Sequence, residues 1–200
     1  MTESRLSGAI AAIRRYAAHR DRRAALANTV ALIVASNQPF YPLYLYWAVS
    51  QTIWPASVSF LSTPFFLAVP ALMRRSPLLG KTTLVLAGVG NTLLCQMVFG
   101  TASGVDIFLL PCIALAALLF RRAERVVALA LVAAAFAVYL APGGLLGEPA
   151  HVYGVDEYAA FRRLNFISGA TLTALIALLF AHAFDDANAQ PDETDGPRRT

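Results

Sequence analysis

Six stretches of this chain carry almost no charge, and each is close to the length needed to cross a lipid bilayer. They cover about residues 26–48, 54–73, 82–100, 104–120, 125–141 and 164–184. Apolar runs of about 18 or more residues are candidate membrane helices. The charged residues are gathered between the runs. The chain is 58% hydrophobic and only 14% charged, against about 25% charged for a soluble domain. The pattern predicts an all-α polytopic membrane protein, a six-helix transmembrane bundle over residues 24–184. It excludes a soluble globular enzyme.

The placement of cations predicts the orientation. With six crossings and the N-terminus inside, the inner segments hold Arg5, Arg14, Arg15, Arg20, Arg22, Arg23, Arg74, Arg75, Lys81, Arg121, Arg122, Arg125, Arg198 and Arg199. These are fourteen of the 16 basic residues, and an excess of Lys and Arg marks the cytoplasmic side. Only Arg162 and Arg163 fall outside, where they can snorkel to the outer headgroups. Both termini are therefore expected in the cytoplasm, and the Ala- and Arg-rich composition suggests a bacterial cytoplasmic (inner) membrane. The net charge of +4 is explained by orientation, so no nucleic-acid partner is expected.

Residues 1–23 form a basic segment in which Leu6, Ile10, Ile13 and Ala17 recur at helical spacing. An amphipathic helix on the inner leaflet fits it, and so does a solvated basic tail. No small-residue cleavage site follows the first apolar run, so that run is read as a retained span. Pro39 should kink the first span, and Tyr41, Tyr44, Tyr46 and Trp47 crowd its outer end as an aromatic belt. Pro64 and Pro70 lie inside the second span. Residues 142–163 form the longest outer segment, ending in a short interfacial helix (EYAAFRRLNF). Residues 185–200 are polar and acidic and are expected to be a disordered cytoplasmic tail.

Three spans carry small or polar residues at i, i+3, i+4 spacing: Ser59, Ser62 and Thr63; Gly88, Asn91 and Thr92; Asn165, Ser168 and Gly169. Such faces let membrane helices approach closely and hydrogen-bond. They can also line a ligand cavity. Asn37, Gln38, Asn91 and Gln96 are amides near mid-membrane, where an unpaired amide costs several kcal/mol. Each must face another helix or a cavity. Asp106 is the acid nearest a span interior, and intramembrane acids are functional candidates. The candidate ligand-binding set is thus Asn37, Gln38, Asn91, Gln96, Asp106 and Asn165, with helix packing as the alternative role.

His151, Asp156 and Glu157 match no established metal spacing. Cys95 and Cys112 read as small apolar residues within spans. No metal and no cofactor is expected. No nucleophile elbow, zinc-helix motif, P-loop or dinucleotide turn is present, so no catalytic residue is assigned.

The chain resembles the six-helix membrane region at the N-terminus of bacterial class III adenylate/guanylate cyclases, and similar regions on histidine kinases and diguanylate cyclases. The resemblance rests on the Arg-rich lead-in, Asn28 opening the first span, Asn91 in the third and SGVDIFLLP at 103–111. Arg121-Arg122 closing the fourth span and Arg163-Leu164-Asn165 opening the sixth complete it. It covers about residues 20–184. It implies a receptor or regulator, often dimeric, coupled to a cytoplasmic output domain. This sequence carries neither the heptad transducer nor the catalytic domain, so by itself it is expected to be non-catalytic.

Three functions follow. The first is a sensory or regulatory module that binds an unknown small ligand and signals to a partner by helix repacking, as a homodimer or through a separate signalling chain. The second is a small transporter or channel subunit. The third is a structural membrane protein that assembles other chains.

Overall fold

The computed structural model describes residues 2–141 and 143–188, and among them every regular element is helical. The α-helices are α1 (Thr2–Ala17), α2 (Arg22–Asn37), α3 (Tyr41–Ala48), α4 (Thr63–Arg75), α5 (Pro77–Phe99), α6 (Leu109–Leu119), α7 (Arg125–Leu140), the single turn α8 (Gly143–Leu146) and α9 (Val155–Asn188). Helices suit these apolar runs because hydrocarbon offers no water to satisfy backbone polar groups. Among the described residues, four continuous helical stretches are long and apolar enough to cross a membrane: Trp54–Arg75, Pro77–Phe99, Arg122–Leu140 and Val155–Ala183. The first and fourth apolar runs of the sequence differ from these. The first runs from α2 through a 3₁₀ turn at Gln38–Phe40 into α3 and is not among the four, and the fourth forms only the shorter helix Val105–Leu119.

The breaks follow from proline. Pro39 has no N–H to donate, and the chain passes from α2 through a 3₁₀ turn, Gln38–Phe40, into α3. The second apolar run is not one α-helix. Trp54–Ser62 is a nine-residue 3₁₀ helix opened by Pro55, unusually long for that form. Pro64 is not in a helix interior but in the first turn of α4, where proline is tolerated, and only Pro70 lies within. At three residues per turn, Ala56, Ser59 and Ser62 eclipse on one buried face. The Ser59 and Ser62 hydroxyls donate back to the carbonyls of Ala56 and Ser59, each at 2.8 Å.

Helix α5 lies at the centre and packs against α2, α4, α6 and α7. Small residues set the close approaches. A Cβ at Gly80 would lie 2.8 Å from the Met73 Cα, one at Gly88 2.6 Å from the Cys112 Sγ, and one at Gly169 2.9 Å from Ile107. One apolar cluster joins Ala24, Ala27 and Ala31 of α2 to Phe66, Met73, Leu84, Leu115 and Ile176. A second, at the opposite end, gathers Leu45, Cys95, Phe99, Tyr153 and Phe161.

Helix α9 corrects the expected outer segment. The stretch EYAAFRRLNF is not a separate interfacial helix but part of the last one. Val155–Asn188 is one helix of 34 residues, about 51 Å long at 1.5 Å per residue. Neither proline nor glycine interrupts residues 155–168. Phe161 and Asn165, one turn apart, are both fully buried. At its other end α9 takes in residues 185–188, so the first part of the expected tail is helical. Residues 189–200 lie outside the described residues.

Gly80→Ala should therefore lower the thermal unfolding midpoint of the detergent-purified chain, with an overpacking cost of about 1–3 kcal/mol. Gly90→Ala, which meets nothing within 4 Å, should be neutral or gain up to about 1 kcal/mol from helix propensity.

Candidate functional site

A cavity of about 580 Å³ lies between α2, α3, α4, α5, α6 and α9. Its wall is mostly apolar, from Val30, Phe66, Leu84, Phe108 and Leu172 among others, with a limited polar set: Ser36, Asn37, Gln38, Tyr41, Tyr44, Ser59, Asn91, Thr92, Ser168 and Thr171. Mostly apolar walls with few placed polar groups are typical of small-molecule sites.

The polar side of the cavity is braced by the break at Pro39. There the buried Gln38 amide donates to the Ser59 carbonyl at 3.0 Å and to the Ser62 hydroxyl at 2.5 Å. Its own carbonyl accepts from the Thr63 hydroxyl at 2.6 Å. The Ser62 hydroxyl has one proton and two acceptors, the Ser59 carbonyl at 2.8 Å and the Asn91 Oδ1 at 2.9 Å. The proton can serve one of them at a time, so two arrangements are available, one closed on its own helix and one bridging to α5. Asn37 sits exposed at the rim, accepting from the Tyr44 hydroxyl at 3.3 Å.

A second set of bonds ties α3 and α9 together. The Tyr41 hydroxyl donates to the Asn165 Oδ1 at 2.9 Å, and the Asn165 amide donates to the Ser103 carbonyl at 3.0 Å. Ser103 belongs to a tight turn between Gly100 and Gly104, whose φ of 79° and 69° need glycine. The Tyr158 hydroxyl donates to the Phe99 carbonyl at 3.0 Å, and Phe161 packs 5.0 Å from the Phe99 ring centre.

The structure thus brings Asn37, Gln38 and Asn91 to one cavity and places Asn165 one hydrogen bond from its wall. Two of the candidate residues stand apart. Gln96 is buried away from the cavity, and its Oε1 has no hydrogen-bond partner among the described residues. Asp106 is half-buried in the 3₁₀ segment Val105–Phe108 and does not line the cavity. Tyr41 and Tyr44, grouped with the aromatic belt by sequence, are wall residues instead. Thr171 carried no signal beyond its spacing from Ser168. Among the described residues no group of three or more His, Cys, Asp or Glu could hold a metal. Glu157 accepts from the Gly154 amide at 2.8 Å, and His151 stacks edge-on against Tyr153 at 4.5 Å.

The MASE7 family model matches residues 13–189. The chain belongs to this family of membrane-associated sensory domains. Among curated proteins and solved structures, no match is found.

The basic end of this MASE7 domain is more ordered than loop cations would be. Lys81, counted among the inner-segment cations, lies within α5 and is 1% exposed. Its ammonium pairs with Glu124 at 2.7 Å, approaches the last carbonyl of α6, Leu119, at 3.5 Å and sits 5.5 Å from the Phe120 ring centre. Arg74 donates to the Tyr16 carbonyl at 2.8 Å, and the buried Asn28 donates to the Ala17 carbonyl at 2.9 Å, so both close the C-terminus of α1. Asp21 caps α2 through the Arg23 and Ala24 amides and pairs with Arg121 at 2.5 Å. Desolvation pushes the Asp21 carboxyl up, but those two amides and the Arg121 guanidinium outweigh it and hold the carboxyl below its ordinary value.

Two outcomes follow for the MASE7 domain. Gln38→Leu should lower stability by about 0.5–2 kcal/mol, because the Thr63 hydroxyl loses its acceptor and the Ser59 carbonyl one of its two donors. The double change with Thr63→Val should cost less than the sum of the two single changes, as read by thermal unfolding. A carboxyl with a depressed folded pKa stabilises the fold above its ordinary value and ceases to as pH falls through the depressed one. Acid titration of the melting midpoint should therefore fall less steeply for Asp21→Asn than for the unaltered chain.

Proposed function

We propose that this MASE7 domain is a non-catalytic sensory module of a bacterial cytoplasmic membrane. It crosses the bilayer six times with both termini in the cytoplasm. A small, largely apolar ligand with one or two hydrogen-bonding groups occupies the cavity, and α9 carries the response to a signalling partner. The family assignment supports sensing. Topology is supported by the cations gathered at the end where Arg22, Arg74, Lys81 and Arg121 meet. The interrupted helix Arg22–Ala48 and the shorter Val105–Leu119 supply the two further crossings. The resemblance to cyclase membrane regions supports coupling to a cytoplasmic output domain of that kind, and a dimer.

One observation carries the reading: the cavity that the Ser62–Asn91 bond faces is also walled by Ser168, Thr171, Leu172 and Leu175 of α9. A ligand that donates to the Asn91 Oδ1 displaces the Ser62 proton, which turns to the Ser59 carbonyl and releases the bridge between the 3₁₀ helix and α5. The ligand shifts the population only by its differential affinity for the two arrangements.

The test uses the full chain in lipid nanodiscs and reads amide hydrogen exchange along residues 176–188. Asn91→Leu should leave insertion intact and change protection at that end of α9. Ser168→Phe, which fills the cavity, should displace any copurified small molecule seen by native mass spectrometry. Unchanged protection in both correctly inserted variants would overturn the proposal.

A transporter reading has one observation in its favour. The 3₁₀ breaks at Gln38–Phe40 and Trp54–Ser62 adjoin the cavity, as broken helices adjoin substrate sites in carriers. Solute flux in proteoliposomes that is lost on Asn37→Leu would favour it over sensing.

A further inference from the structure

We propose a second binding site, for a phosphate-bearing anion, at the end of the bundle where α9 leaves it. A pocket of about 480 Å³ there is walled by Arg22, Arg23, Arg121 and Arg122, with Asp21 as its single carboxylate. Four guanidiniums against one carboxylate leave a formal charge of +3 on the wall. Such a concentration of like charge raises the local potential and attracts anions.

Three of the four arginines, Arg22, Arg23 and Arg121, are tied to other groups of the chain, while Arg22, Arg121 and Arg122 keep solvent-exposed surface. Arg22 donates to the Ala183 carbonyl of α9, Arg23 donates to the Phe120 carbonyl at 3.0 Å, and Arg121 holds Asp21 at 2.5 Å. Each guanidinium carries five N–H donors, so each of these bonds fixes a side chain and leaves further donors. Asp21 offsets one of the four charges, through its pair with Arg121, and its carboxylate also caps the first amides of α2.

The chemistry of the walls selects the anion. Guanidiniums favour phosphate through paired N–H donors. Leu26, Phe180 and Ala183 add an apolar floor on the bundle side. A polar rim over an apolar floor at a membrane-helix end suits a phospholipid headgroup with its glycerol. A soluble phosphate would use the rim alone. The pocket is separate from the central cavity and shares no lining residue with it. Its occupant would bear on α9 through Arg22 and Ala183.

The experiment is native mass spectrometry of the full chain released from detergent micelles, with phosphatidylglycerol, phosphatidylcholine or inorganic pyrophosphate added in turn. Phosphatidylglycerol should be retained in preference to phosphatidylcholine. The preference should fall about tenfold in Arg22→Gln/Arg122→Gln, and not in the outer control Arg163→Gln. Arg122 is exposed, so Arg122→Gln alone, with an unchanged melting midpoint, keeps the test decisive if the double variant folds poorly. Pyrophosphate retention without lipid preference, lost in the same variants, would assign the site to a soluble phosphate. Equal retention of both lipids with no pyrophosphate bound would overturn the proposal. So would a phosphatidylglycerol preference indifferent to every arginine change.

Discussion

Where a helix of this domain stops or changes form, its last carbonyls lose their partners on the same helix, and side chains of other elements supply several of them. Asn28 and Arg74 close the end of α1, and Gln38 reaches the 3₁₀ carbonyl of Ser59. Tyr158 meets the last carbonyl of α5, and Asn165 meets the turn at Ser103. Lys81 and Arg23 meet the carbonyls of Leu119 and Phe120, where α6 stops. Several polar side chains of the bundle are thus committed to backbone of another element, while hydroxyls such as those of Thr29, Thr92 and Thr173 bond within their own helix. Apolar packing alone discriminates weakly between one helix arrangement and another in lipid. These directed bonds specify which helix ends meet.

The same accounting separates candidate functional residues from structural ones. Gln38 and Asn165 have amides fully engaged in holding breaks together. Asn91 differs, since its Oδ1 accepts from a hydroxyl that has an equally short alternative acceptor. Thr92 donates to the Gly88 carbonyl of its own helix at 2.9 Å, a bond that costs nothing to keep while its face meets the cavity. On the proposed reading, Asn91 is the amide placed to respond to a ligand, because its donor has another acceptor to turn to.

Much of this was legible in the sequence. Apolar runs divided by arginines predict the helical bundle, and the small-polar stripes predict faces that do meet: Ser62 with Asn91, Gly88 with Cys112, Gly169 with Ile107. What escaped is instructive. A 3.6-residue period cannot announce a nine-residue 3₁₀ helix, because Ser59 and Ser62 are three apart in either form. The charged stretch DEYAAFRRLN suggests an interface boundary, yet a helix ignores polarity when one of its faces, here Phe161 and Asn165, is buried along its length. Lys81 resembles any loop cation until Glu124, 43 residues away, supplies its counter-charge. Gln96 and Asp106 shared composition with the site residues but not their helix face.

Helix α9 is the element that both proposed sites have in common, and its packing explains why a response would travel there and not along α7. Helix α7 packs against α5 and α6, with Val126, Leu129, Phe136 and Leu140 left exposed on its other side. Helix α9 meets α2, α3, α6 and both 3₁₀ segments of the 101–108 turn. It is bonded near its start through Tyr158 and Asn165, lines the cavity in its middle, and accepts from Arg22 at Ala183. A stiff rod held at both ends cannot absorb a change at its centre locally. On the proposed reading, loosening Asn91 from Ser62 changes the wall opposite α9. On that reading the rod shifts as a body, and the Arg22 bond to the Ala183 carbonyl, beside the anion pocket, is one contact through which its far end can be biased.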